Sequence, residues 1–155
     1  MHPYKAFLMK PILLAVAVSA LAMFSLAGLY TGVLAHAFIA QHLAGPALRT
    51  PPNLPLVFAG YVFLALCMTL VHRRLFYGTR PTTWTNARFG MLAGVGWLMP
   101  YSLVLFGVYA FPYLALPLDF CWALVEQGLG GVIIGAILGR RYGRPFSVVD
   151  QVRQP

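Results

Sequence analysis

Residues 116–139 read LPLDFCWALVEQGLGGVIIGAILG, and the next two residues are Arg140 and Arg141. The run has two acidic side chains and no basic one. At about 1.5 Å per residue a helix of this length crosses hydrocarbon about 30 Å thick. Its apolar residues are continuous rather than alternating, which favours a helix over a barrel strand.

Three further stretches have the same character: Pro11 to Ala40, Leu54 to Val71 and Ala87 to Phe111. With Leu116 to Gly139 they fill most of the 155 residues. The expected fold is all-α, a polytopic membrane protein built as a four-transmembrane-helix bundle over a single membrane domain, residues 1–155. Composition agrees, with 60% hydrophobic residues, 9% charged residues and a mean hydropathy of +0.77. Soluble domains carry about 25% charged residues. The first stretch is over-long, so it should tilt or project.

The breaks are chemically legible. Gly45-Pro46 and Pro51-Pro52-Asn53 end the first helix. Gly78, Pro81 and residues 82–86 separate the second span from the third. Phe111-Pro112-Tyr113 and Pro117 make the last connection tight, so the third and fourth helices should be antiparallel neighbours.

Basic residues give an orientation. Lys5 and Lys10 precede the first span; Arg73, Arg74, Arg80 and Arg88 flank the second connection; Arg140, Arg141, Arg144 and Arg153 follow the fourth span. Arg49 alone falls elsewhere. The positive-inside rule then puts both termini in the cytoplasm of a multi-pass protein, at home in a bacterial inner membrane. The net charge of +8 and pI of about 10.0 do not argue for a nucleic-acid binder, because the charges flank apolar spans. They suit anionic lipid headgroups of the bilayer. Ala20-Leu21-Ala22 imitates a signal-peptide cleavage site, yet apolar sequence continues to Ala40, so a retained helix is expected.

Cys67 and Cys121 belong at opposite depths, too far apart for a disulfide, and read as buried small apolar residues. Helix contacts are expected at small residues one turn apart. These are Gly28 and Gly32, Gly90 and Gly94, and the ridge Gly131, Gly135, Gly139, with Gly128 on the same side.

One polar constellation stands out. Asp119 and Glu126 are seven residues apart, nearly one helix face, about 10 Å apart along the axis, with Gln127 adjacent. Glu126 should lie roughly 15 Å deep, near the midplane. A charge there costs at least about 2.5–3.5 kcal/mol, so it should be neutral, paired or facing a polar cavity. By depth, His36 matches Asp119, while Tyr30 and Thr31 match Glu126. Pro100 frees the carbonyl of Gly96 and is flanked by Trp97 and Tyr101. A polar pocket lined by Glu126, Tyr30, Trp97 and Tyr101 is one expectation; interhelical hydrogen-bonding glue is the other.

His36 and His42 lie on opposite helix sides, His72 joins the basic cluster His72-Arg73-Arg74, and His2 is terminal. No convergent metal set is expected, and no cofactor. Nucleotide-binding and hydrolase motifs are absent from the sequence.

Residues 87–94, then Trp97-Leu98-Met99-Pro100-Tyr101 and Leu118-Asp119-Phe120-Cys121-Trp122, resemble small bacterial four-helix membrane proteins catalogued as a domain of unknown function. The resemblance covers Arg88 to Gly139, and the first half matches in topology. It implies the fold, marks Asp119 as a family-like position and implies no activity.

Two functions are expected. One is a non-catalytic membrane component or accessory subunit, packing through glycine faces as a homo-oligomer or in a larger membrane complex. The other is a small oligomeric transporter or channel for a proton, cation or small molecule, using Glu126 and Asp119. The catalytic inventory is too thin for an enzyme.

Overall fold

The computed structural model describes residues 3–42, 51–108 and 112–142. His2, Gly45, Pro46, Arg49, Phe111, Arg144 and Arg153 lie outside the described residues. Among those described the elements are all helical: α1 (Pro3–Leu29), a π-helical segment (Tyr30–Leu34), α2 (His36–His42), α3 (Leu54–Leu75), α4 (Thr83–Val108) and α5 (Ala115–Tyr142). Four helices are long and apolar enough to cross a membrane.

The first stretch departs from the expected single helix. At Tyr30–Leu34 the ladder widens, with the Ala35 N–H reaching the Tyr30 carbonyl at 2.7 Å, and the chain bends before α2. The Thr31 hydroxyl bonds back to the Ala27 carbonyl at 2.9 Å, a contact that loosens a helix from within. Pro11, by contrast, sits inside α1 without ending it.

The other boundaries are set by caps. The Asn53 side chain accepts from Leu56 N–H at 3.1 Å and Pro55 fills the first turn, so Pro51-Pro52-Asn53 begins α3 rather than merely breaking the chain. Thr82 caps α4 through Thr85 N–H at 3.1 Å. That moves the start of α4 four residues earlier than Ala87, and draws Asn86 into the helix. α3 runs past Val71 to Leu75, so His72, Arg73 and Arg74 form its last turn, where positive charge meets the negative end of the helix dipole. Gly78, with φ +72°, then turns the chain toward α4.

α5 is the hub. Half of its most apolar window is buried, against 11% for α4. It packs closely on α4 and also on α1; α1 packs on α3; α3 and α4 barely meet. The bundle therefore runs α3, α1, α5, α4 around an incompletely closed circle. Its core comprises Ala15, Val16, Ala20 and Met23 of α1, Leu64, Ala65 and Met68 of α3, and Ile134 and Leu138 of α5. Outside lies an apolar coat that includes Leu13, Leu21, Leu66, Leu70, Leu92 and Leu129. Cys67 and Cys121 belong to that exterior, so their expected burial is corrected. They point away from the helix faces that carry the core.

Glycine makes the α4–α5 contact. A Cβ on Gly90 would strike the Gln127 carbonyl, and one on Gly131 would strike the Asn86 carbonyl and the backbone of Gly90. Gly94 receives the Gln127 side chain, Gly128 receives Met91, and Gly135 receives the Asn86 amide. The ridge thus serves a sister helix. Among the described residues, Gly28, Gly32 and Gly139 have nothing within 4 Å of an added Cβ and make no close contact. Gly28 is five residues past Met23, which turns it about 140° away from the buried face of α1. Gly139 faces the place where α4 has already run out.

Candidate functional site

Where α3 and α4 separate, α5 is exposed as the floor of a lateral groove of about 260 Å³. Tyr61 and Phe63 of α3 form one wall and Trp97 and Leu98 of α4 the other, with Glu126 and Gln127 beneath. The groove is pinched by Phe63 and Trp97, whose rings lie 6.4 Å apart. Toward the arginine-bearing end it is closed by a hydrogen bond of 2.8 Å between His72 of α3 and Asn86 of α4. Phe76 and Phe89 pack around that bond, with ring centroids 4.7 and 5.2 Å from the His72 ring.

The floor is polar yet nearly sealed. Glu126 is 4% exposed and Gln127 1%. Gln127 Nε2 donates to Glu126 Oε1 at 2.9 Å, and the Tyr61 phenol is the carboxyl group's second partner. Gly94 permits this arrangement, since a Cβ there would lie 2.9 Å from Gln127 Cγ. Gln127 Oε1 has no hydrogen-bond partner among the described residues. A buried acceptor left this way costs about 1–3 kcal/mol. Glu126 and Gln127 thus border the groove from beneath while remaining almost wholly covered.

The expected pocket is assembled only in part. Glu126 and Trp97 share the groove. Tyr101 is exposed and does not line it, because it lies one turn beyond the pinch. Tyr30 instead stacks on Trp122, centroids 5.0 Å apart at 12°, its position fixed by the π-helical segment. His36 is exposed on α2, beyond the bend. Asp119 lies in a separate hollow of about 210 Å³ between α4 and α5, where Ser102 donates to it at 3.4 Å. Leu98 lines both hollows.

Sequence reasoning missed Tyr61, although a tyrosine in the middle of an apolar span was the available signal. It also missed the His72–Asn86 pair, because His72 was assigned to a basic cluster and Asn86 to a connection. The chain matches no family model, no curated protein and no solved structure. The resemblance of residues 88–139 therefore rests on its motifs alone.

Proposed function

We propose that the chain is a non-catalytic membrane component, an accessory bundle whose lateral groove receives a transmembrane helix of another subunit. The observation that carries this reading is the pair of buried acceptors, Glu126 and Gln127, on the floor of a groove open to the side. A helix with Ser, Thr or Asn side chains at that depth would satisfy them, and such interhelical bonds contribute about 0.6–2 kcal/mol. The partner is a sister copy or a different membrane protein. Gly60, which lines the groove and has nothing within 4 Å of an added Cβ, lets a second helix approach α3.

The bundle's apolar exterior supports a bilayer, and the arginine distribution supports a bacterial inner membrane with both termini and the α3–α4 connection in the cytoplasm. An impermeant thiol reagent added from outside should label Asn53→Cys and leave Thr83→Cys unlabelled. The opposite pattern would reverse the orientation.

Plugging the groove tests the function. Gly60→Trp should leave the bundle folded while the partner no longer co-purifies in mild detergent. Unchanged co-purification would place the partner on another face.

A second reading is favoured by one feature: Leu98 lines both the Glu126 groove and the Asp119 hollow. Two neighbouring hollows that each hold an acidic residue suit a stepwise path for a proton or cation in an oligomer. In that case Glu126→Gln should abolish flux into liposomes.

A further inference from the structure

The seam between α4 and α5 changes character along its length. On α4 the residues that meet α5 recur every fourth position, as Gly90, Gly94, Leu98 and Ser102. On α5 the matching series runs Gly131, Gln127, Ala123 and Asp119. At Gly90 the two backbones touch, and at Gly94 an added Cβ would still lie 3.5 Å from the Ala123 carbonyl. One step further Leu98 stands where a glycine would be needed, and its side chain holds the helices apart. At the last step Ser102 only just reaches Asp119, at 3.4 Å. The space that opens there is the hollow of about 210 Å³.

The hollow has the make-up of a ligand site. An apolar cavity of about 150 Å³ is enough for benzene, so this one admits an aromatic ring with a short tail. Among the described residues its walls are apolar, Met99, Leu103 and Phe120 among them, apart from the Ser102 hydroxyl and the Asp119 carboxylate. Met99 and Leu103 belong to the exposed coat of α4, so the hollow is reached from the side. Asp119 lies four residues past Ala115, the first residue of α5, or about 6 Å along the axis. That places it near the end of the span, where a charge is far cheaper than at the midplane. Its bond to Ser102 is longer than the usual 2.5–3.0 Å or so of a hydroxyl donor, so the carboxylate is weakly held and can turn to a better one. Apolar walls with one anionic group select an amphiphile of opposite charge.

We propose that this hollow is a binding site for an ammonium-bearing amphiphile, with the ammonium on Asp119 and the apolar body between α4 and α5. Binding there is independent of what fills the Glu126 groove.

The test uses the full chain in detergent, with the thermal unfolding midpoint read after adding phenethylammonium. Phenethyl alcohol and phenylacetate are the neutral and anionic probes with the same ring. Phenethylammonium should raise the midpoint by about 4 °C, and the other two by less than about 1 °C. Asp119→Asn keeps the shape of the side chain, removes its charge and should abolish most of the rise. Ser102→Leu projects from the residue that reaches across to Asp119, so it fills the hollow. It should abolish the rise as well, with an unliganded midpoint within about 2 °C of wild type. A rise with phosphatidylethanolamine in place of phenethylammonium, lost in Asp119→Asn, would keep the site and assign the ammonium to a lipid head group. No rise with either ammonium, an equal rise in wild type and Asp119→Asn, or an equal rise with phenethyl alcohol would overturn the site.

Discussion

Gly90→Leu should unfold the bundle or lower its thermal midpoint by at least about 10 °C in detergent. The position has no space for any side chain, because a Cβ would meet the Gln127 carbonyl and the Gly131 amide, both backbone groups of α5. Backbone cannot swing aside as a flexible side chain can, so the two helices must part. Overpacking alone costs about 1–3 kcal/mol, and separation of α4 from α5 adds the loss of the packing around Gly94, Gly128 and Gly131. In a chain of this size about 1 kcal/mol corresponds to about 2–4 °C. Gly28→Leu is the control: Gly28 has open space around it, so its midpoint should stay within about 2 °C of wild type. Equal effects at both positions would mean that close α4–α5 contact is not what holds the bundle.

These two glycines show what sequence reasoning resolves. Gly28-x-x-x-Gly32 and Gly90-x-x-x-Gly94 look alike on paper, and spacing says only that a smooth face exists. Which face is buried depends on the whole register of the helix. On α1 that register is fixed by Ala15, Ser19, Ala20 and Met23, and Gly28 falls outside it. The four long apolar helices were legible because continuous apolar sequence is a one-dimensional signal. Glu126 was legible as a candidate because a carboxylate in such a run is costly anywhere.

The rest of the site was not legible, for the same physical reason. Depth along a helix can be counted, but azimuth cannot be compared between helices until their packing is known. The π-helical segment turns Tyr30 toward Trp122, whereas Tyr61 faces Glu126. The His72–Asn86 bond depended on two helix boundaries, since both residues become helical only when α3 extends to Leu75 and Thr82 caps α4. Together they close one end of the α3–α4 seam and leave the other open, which is how the groove arises.

The second large effect concerns the groove floor. Glu126→Leu removes the acceptor of the Gln127 amide and the partner of Tyr61, and takes away the oxygen atoms offered to an entering helix. The bundle should still fold, because its glycine contacts and the core of α1, α3 and α5 are untouched. Partner binding should fall about tenfold, the equivalent of about 1.4 kcal/mol. Glu126→Gln keeps an acceptor oxygen in place and should bind within about twofold of wild type.

Both variants are best read in native membranes with a photo-crosslinking residue at Val57, which lines the groove. Val57 should give a defined crosslink to a second membrane-spanning chain, about tenfold weaker with Glu126→Leu and near wild type with Glu126→Gln, while the same probe at the exposed Leu129 gives none. Full crosslinking with Glu126→Leu, or a crosslink at Leu129 and none at Val57, would contradict the account.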